Sequence, residues 1–161
     1  DHSGLTVSEQ PSLYWFISTE TSAPVELTLT DPRTTQPVLE LRIAPPVKPG
    51  VHRVRLGDHG VKLAPAVAYR WYVSVVSDSG RRSRDVVAGG AIQRADPSPG
   101  LSVRLSRAPP DELPFIYAEA GFWYDAVAAV SDLIEARPDD AVLRKQRAAL
   151  MAQVGLPEIS E

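Results

Sequence analysis

The residues best suited to bind a charged ligand are arginines near a predicted hairpin tip. Arg81, Arg82 and Arg84 follow the turn-forming sequence Asp78-Ser79-Gly80, and Arg70 lies on the strand that leads into this turn. Guanidinium groups form paired hydrogen bonds with carboxylates and phosphates. The four arginines therefore predict a site for an acidic partner or an anionic glycan. We favour the alternative of internal ion pairs with neighbouring carboxylates, because exposed pairs of this kind are common.

Other residues that could perform catalysis or bind a metal do not form a recognisable site. His52 falls on the inner face of its predicted strand, where a packed and hydrogen-bonded side chain is the simpler interpretation. Asp58 and His59 lie in a predicted turn, and two adjacent residues cannot supply the three or four ligands of a zinc ion. The carboxylates of the helical region are expected on solvated faces. These carboxylates are Glu119, Asp125, Asp132 and Glu135.

The sequence also lacks the short motifs that mark common catalytic centres. It contains no Gly-x-Ser-x-Gly elbow, no glycine-rich phosphate loop and no His-Glu-x-x-His motif. It contains no cysteine, which excludes thiol nucleophiles, thiolate metal sites and disulfide bonds. We therefore expect a protein that is not an enzyme and that carries neither a cofactor nor a metal.

The composition restricts the class of partner. The 161 residues are 43% hydrophobic and 23% charged, which is ordinary for a globular protein. The formal net charge of −3 is too mild to predict binding to nucleic acid. No apolar run approaches the roughly 20 residues that a membrane-spanning helix needs. We therefore expect neither nucleic-acid binding nor membrane insertion.

A β-rich region over residues 1–96 would position these groups. Val25–Thr30 alternates apolar and polar residues with a period of two, which predicts a strand with one buried face. Longer apolar runs at residues 13–17 and 69–76 predict strands buried on both faces. About seven short strands separated by turn-forming residues predict an antiparallel β-sandwich. Further strands are predicted at residues 39–43, 52–56 and 85–92.

Residues 97–161 are predicted to form helices that pack on the sandwich. The clearest helix spans residues 122–136, because apolar residues recur in it at steps of three and four. Arg137-Pro138 ends this helix, and Asp139 is expected to cap the next one. The other predicted helices begin at Ser98-Pro99, span residues 111–120 and span residues 140–153.

One segment resembles the tyrosine corner of fibronectin type III domains. Leu63, Pro65 and Tyr69 have the spacing of this motif, in which the tyrosine hydroxyl bonds to the backbone upstream. Trp15 lies on an early strand, where such domains place a core tryptophan. The resemblance implies an immunoglobulin-like or fibronectin III-like sandwich, with Trp15, Tyr69 and Trp71 as structural residues of its core.

The clearest predicted helix resembles the second helix of a tetratricopeptide repeat. Trp123 stands where that repeat often has tyrosine, whereas Pro110 and Pro114 fall where it has helical residues. A single partial repeat cannot stack into a solenoid. The resemblance implies a helical hairpin docked on the sandwich, and it leaves open whether the hairpin forms a peptide groove. The matching residues are Gly121, Ala126, Val130, Leu133 and Pro138.

A wider resemblance rests on four segments, residues 13–15, 69–71, 82–85 and 118–126, which spread over nearly the whole chain. They are similar to a bacterial family known only as domain of unknown function 928. The resemblance implies an exported, extracytoplasmic bacterial protein to which no activity and no catalytic residue is assigned.

These features together predict a non-enzymatic protein-interaction module with a protein partner. An accessory role to an envelope sensor or a secretion system is one form that this function could take. The alternative is a module that binds an anionic glycan or peptide through Arg70, Arg81, Arg82 and Arg84.

Three aromatic residues are expected on the face opposite to the sandwich core. Alternation places Tyr14, Phe16 and Tyr72 there, and together they exceed what a monomer usually exposes. We expect the helical segment to cover them, since consecutive elements usually lie adjacent. The alternative is cover by a partner protein or a second copy. The residues expected to provide the cover are Phe115, Ile116, Phe122 and Trp123.

Overall fold

The described part of the chain, residues 4–78 and 83–153 of a computed structural model, contains seven strands followed by four α-helices. The strands are β1 (Gly4–Thr6), β2 (Ser12–Ile17), β3 (Val25–Thr30), β4 (Pro37–Ile43), β5 (Gly50–Arg55), β6 (Ala68–Asp78) and β7 (Ser83–Arg94). The helices are α1 (Pro99–Arg107), α2 (Leu113–Glu119), α3 (Trp123–Ala136) and α4 (Ala141–Gln153). Short 3₁₀ turns cover Leu56–His59 and Pro110–Glu112.

The strands form two sheets of unequal size. One sheet has the order β1-β7-β6-β3-β4, and the other contains only β2 and β5. The prediction of a mainly β fold with helices is confirmed. The prediction of purely antiparallel pairing is wrong at β1, which runs parallel to β7 with Gly4 opposite Ile92. A pairing between the two ends of the β region leaves no local pattern in the sequence from which it could be predicted.

The apolar alternation of β3 produces the expected buried face. Val25, Leu27 and Leu29 are fully buried, and the polar residues between them remain partly accessible. β4 carries the same alternation but buries its apolar residues only in part, because it is the edge strand of its sheet. The buried faces of both sheets contribute to one continuous core.

The hydroxyl of Tyr69 forms the type of bond that the corner motif predicts. The backbone N–H of Ala64 donates to Tyr69 Oη over 2.8 Å. Ala66, between these two residues, has a φ of 63°, which lies in the left-handed region and closes the turn. Tyr69 is buried, as are Trp15 and Trp71. The bond fixes the start of β6 relative to the loop that precedes it.

The helix boundaries follow the predicted capping signals with one correction. Ser98 accepts a hydrogen bond from the N–H of Leu101 at the start of α1 over 3.2 Å. The residue that caps α4 is Asp140, whose carboxylate accepts the N–H of Val142 over 3.0 Å. Asp139 was predicted for this role but lies one residue too early, since a capping side chain reaches the N–H two or three residues ahead.

A glycine and a tryptophan arrange the last three helices. Gly121 has a φ of 87°, which favours glycine, and lies between the end of α2 and the start of α3. The indole N–H of Trp123 in α3 donates to the backbone carbonyl of Leu150 in α4. The tight turn places α3 beside α2, and the indole bond holds α4 against α3.

Tyr124 of α3 is inserted into the core beside the larger sheet. Its hydroxyl accepts a hydrogen bond from the indole N–H of Trp71 over 2.9 Å and donates to the carbonyl of Ala91 over 3.1 Å. A Cβ atom at Gly4 would lie 2.5 Å from the Tyr124 ring, so β1 needs glycine at this position. Burial raises the pKa of Tyr124 well above its usual range, and the hydroxyl stays protonated.

We expect the Tyr124→Phe variant to lower the free energy of unfolding by about 1–3 kcal/mol. The substitution leaves the indole N–H of Trp71 buried without its partner, and that cost is not recovered from water. Urea denaturation monitored by tryptophan fluorescence measures the change. The control is Tyr117→Phe in α2, since the hydroxyl of this half-buried tyrosine makes no hydrogen bond to the described residues. An equal loss in both variants would contradict the special role of the Tyr124 hydroxyl.

Asp125, the next residue of α3, connects the helix to the chain just after β1. Its carboxylate accepts hydrogen bonds from Thr6 Oγ1 over 3.1 Å and from the N–H of Val7 over 2.9 Å. Asp125 was predicted on a solvated helix face, and this prediction is wrong. Burial raises the pKa of its carboxyl to about 6, although the two hydrogen bonds act in the opposite direction.

The raised pKa gives Asp125 a defined effect on stability. Between the ordinary pKa of 3.8 and the folded value of about 6, the folded state binds more protons than the unfolded state. Acidification across this interval should therefore stabilise the natural chain relative to an Asp125→Asn variant, whose side chain does not titrate. Chemical denaturation of both proteins between pH 4 and pH 7 measures the difference. A constant difference would show that the carboxyl titrates normally, and a difference that falls as the pH falls would show that folding lowers its pKa. Either result would contradict the prediction.

Candidate binding pocket

An open pocket lies where α4 passes the end of the two-stranded sheet. Its volume is about 510 Å³, which is within the usual range for ligand-binding sites. The strands contribute mainly apolar surface, and α4 contributes both apolar and charged residues. The lining residues from the strands are Trp15 and Phe16 of β2, Gly50 and Val51 of β5, and Ala88 of β7.

The lining residues of α4 form one continuous face of the helix. Arg144 is followed by residues three, four, seven and eight positions later, which is the spacing of a single helical stripe. Two of these residues are alanines, whose small side chains leave room between the helix and β2. This stripe is distinct from the buried residues Leu143 and Leu150, which fix α4 on the core. The lining residues are Arg144, Arg147, Ala148, Met151 and Ala152.

The two arginines make the pocket electropositive. Arg147 donates to Ser131 Oγ over 3.4 Å, and the guanidinium of Arg144 donates to the carbonyl of Pro138. No carboxylate of the described residues forms an ion pair with either of them. Burial lowers the pKa of Arg147, and the positive charge of Arg144 acts in the same direction. An anion bound in the pocket would stabilise the charged form of Arg147 and so oppose both causes of the lowered pKa.

The two aromatic residues of β2 that line the pocket differ in exposure. Trp15 is buried and stacks on His52 with ring centroids 5.5 Å apart, and its indole N–H has no partner among the described residues. Phe16 is 41% exposed and presents its ring to the open side. His52 accordingly packs in the structure, with Nε2 2.7 Å from the carbonyl oxygen of Lys48. The pocket is thus lined by one buried aromatic side chain, Trp15, and one accessible one, Phe16.

The helices cover only one of the three outward aromatic residues. Tyr14 is fully buried, with the Arg53 guanidinium 5.5 Å from its ring centroid, and Arg53 pairs with Asp132 of α3 over 2.9 Å. Phe16 and Tyr72 remain 41% and 40% exposed. The predicted cover is therefore incomplete. Phe115, one of the residues expected to provide it, is itself 57% exposed.

Only two of the four arginines predicted to form a cluster have described backbone positions. Arg81 and Arg82 lie outside the described residues, and Arg84 is described only by its place in β7. The strand register pairs Arg70 with Ala91 and Arg84 with Val76. The two positions are therefore six residues apart along β6, a distance of about 20 Å. A binding role for these four residues stays a prediction, but Arg70 belongs to a different part of the surface.

The pocket was not predicted from the sequence, although the residue pattern of α4 is consistent with it. Arg144 and Arg147 share their helical stripe with alanines and a methionine, a combination that leaves two cations over a shallow apolar surface. The opposite side of the pocket is formed by β2, which lies more than a hundred residues earlier in the chain. Long-range packing of this kind has no local signature.

Residues 4–78 and 83–153 contain neither a metal-binding cluster nor a membrane-spanning helix. This part of the chain has no group of three or more histidine, aspartate or glutamate residues arranged to hold a metal ion. None of its helices is long and apolar enough to span a membrane.

Comparison with known protein families identifies the family of this chain. A family model described as Domain of Unknown Function (DUF928) matches residues 1–161, the whole of the chain. A search of the curated proteins finds no match. The family description names no activity, so a function has to be argued from the geometry.

Proposed function

This chain belongs to the DUF928 family, a domain of unknown function, and on that premise we propose that it is a non-enzymatic protein-interaction module. Its ligand is a segment of a partner protein that combines apolar side chains with a carboxylate. The apolar side chains enter the pocket between β2, β5 and α4, and the carboxylate binds Arg144 and Arg147. The observation that carries the proposal is an apolar pocket with two arginines that no described carboxylate neutralises.

The chemistry of the two arginines favours a carboxylate over a neutral ligand. A guanidinium presents a planar fork of N–H donors that fits a carboxylate with two hydrogen bonds. Arg147 is partly withdrawn from water, so its interaction with an anion is stronger than that of a fully exposed arginine. Binding of one acidic side chain would therefore supply specificity, while the apolar surface supplies most of the affinity.

The shape of the pocket favours a segment of protein chain. Phe16, Ala148 and Ala152 are exposed as well as lining the pocket, so one side of it is open along α4. From Arg144 to Ala152 the helix rises by roughly 12 Å. A polypeptide can lie along this length and continue beyond it at both ends.

The setting of this function is a further part of the proposal. Resemblance to an exported bacterial family supports an extracytoplasmic location and an accessory role to an envelope sensor or a secretion system. The Tyr69 corner bond and the facing sheets support a fibronectin III-like or immunoglobulin-like sandwich. The turn at Gly121 supports a tetratricopeptide-like hairpin formed by α2 and α3. The hairpin would then act as a support for α4.

Selection from a random peptide library displayed on phage tests the proposal. Peptides that bind the natural chain should be enriched in aliphatic or aromatic residues next to aspartate or glutamate. We expect an Ala148→Trp variant to bind a selected peptide about tenfold more weakly or worse, because the indole fills the pocket. Fluorescence anisotropy of the labelled peptide measures the affinity.

Two matched variants on α4 serve as controls. Ala149→Trp adds the same bulk to an exposed neighbour that does not line the pocket, and it should leave the affinity unchanged. Arg147→Gln should weaken binding and remove the preference for acidic residues, whereas Lys145→Gln should do neither. Selected peptides without acidic residues, or equal effects of the two tryptophan substitutions, would refute the proposal.

A further inference from the structure

A second surface lies on the outer face of the five-stranded sheet, away from the pocket. Tyr72 and Arg70 of β6 alternate with Trp71 and Val73, which are buried in the core, so they project to the opposite face. Tyr72 is 40% exposed and Arg70 is exposed as well. The Cα atoms of this aromatic residue and this arginine are thus about 7 Å apart along one strand.

The residues on both sides of this pair are small. The register places Gly89 and Thr28 opposite Tyr72, and Ala91 and Thr30 opposite Arg70. Directly paired residues share a face of the sheet, so the six positions form a patch three strands wide. The two residues directly opposite Tyr72, Gly89 and Thr28, are both small. We call these six residues the Tyr72 patch.

Gly89 allows the tyrosine ring to lie low over the sheet. A Cβ atom at Gly89 would lie 3.4 Å from Tyr72 Cδ1 and only 3.1 Å from the backbone oxygen of Trp71. The ring therefore leans over β7 in the space that the missing side chain leaves. The ring is nevertheless 40% exposed, so a ligand can reach its π surface.

The polar groups of the patch are suited to a carboxylated ligand. Arg70 makes no ion pair with the described residues, so its five N–H donors are available to an anion. Thr30 Oγ1 donates to the carbonyl of Arg70 over 3.3 Å, which leaves the lone pairs of its oxygen free to accept. Thr28 adds a second hydroxyl beside the ring. The nearest described acid on this face is Glu26 of β3, which lies opposite Ser74 and diagonal to Tyr72. Its charge is paired with Arg42 of β4 over 3.5 Å.

We propose that the Tyr72 patch binds an acidic sugar, a pyranose ring that carries a carboxylate. The C–H groups of one sugar face pack on the exposed face of the tyrosine ring, whose π electrons make that face negative. The carboxylate binds Arg70 through paired hydrogen bonds, and sugar hydroxyls bind Thr28 and Thr30. The patch measures roughly 10 Å across its three strands, which fits one or two sugar units. This site is separate from the pocket and does not depend on the protein-binding function.

The test is titration of the natural chain with tetragalacturonate, measured by calorimetry and by NMR. The matched probe is the methyl ester of the same tetramer, which keeps the sugar faces but has no charge. We expect tetragalacturonate to bind about tenfold more tightly than the ester and to lose affinity as salt is added. Amide shifts should change at Gly89 and Ala91.

Variants separate the aromatic contribution from the charged one. Tyr72→Ala should weaken binding of both tetramers by about tenfold or more, because both lose the stacking surface. Arg70→Gln should weaken only the binding of tetragalacturonate and so abolish the preference for the acid. Circular dichroism at the temperature of the titration should show that both variants remain folded, so a loss of affinity is not a loss of structure.

Two control variants distinguish this proposal from the function of the pocket. Arg107→Gln removes an exposed charge from α1, and Arg147→Gln removes a charge from the pocket, and neither should alter binding of the tetramer. Absence of binding at millimolar concentrations, equal binding of acid and ester, or loss of binding in Arg147→Gln would each overturn the proposal. Loss of peptide binding in Arg147→Gln with unchanged sugar binding would confirm that the two sites are independent.

Discussion

The structure depends on one buried chain of hydrogen bonds, from the indole of Trp71 through the hydroxyl of Tyr124 to the carbonyl of Ala91. These hydrogen bonds hold α3 in the core, and α3 is required there because the two sheets differ in size. Two strands cannot cover the buried face of a five-stranded sheet, so α3 occupies the remaining part of that layer. Tyr124 gives the helix a fixed depth and direction, because a buried hydroxyl and a buried indole must each find a partner.

The position of α3 determines where the pocket forms. Trp123 stands edge-on to Tyr124, with ring centroids 4.8 Å apart, and donates to the carbonyl of Leu150. Two adjacent residues therefore hold α3 to the sheet on one side and α4 to α3 on the other. α4 comes to lie beside the end of β2, and the gap between them is lined by the arginine and alanine face of the helix. Any change that moves α3 should also change the pocket.

Local residue patterns allowed much of the fold to be predicted. The features that were predicted wrongly or missed depend on contacts between distant parts of the chain. The spacing of Leu63, Pro65 and Tyr69 describes a bond that closes within a few residues, and the stripe of α3 describes one face of a helix. Asp125 was placed on a solvated face because a carboxylate usually lies there, whereas its partners Thr6 and Val7 are distant in sequence. The distance between Arg70 and Arg84 could not be predicted, because it depends on the register of β6 and β7. Register and long-range packing are set by contacts that no short segment contains.

The central claim is that α3 is a part of the β core and not an appendage to it. Native-state hydrogen exchange, followed by NMR or mass spectrometry in low concentrations of urea, tests this claim most directly. The account predicts that the central amides of α3 and those of β6 exchange with the same free energy of opening, equal to that of global unfolding. Opening of α3 at a distinctly lower free energy, while β6 stays protected, would contradict it. That result would mean that the two sheets form a stable unit without the helix.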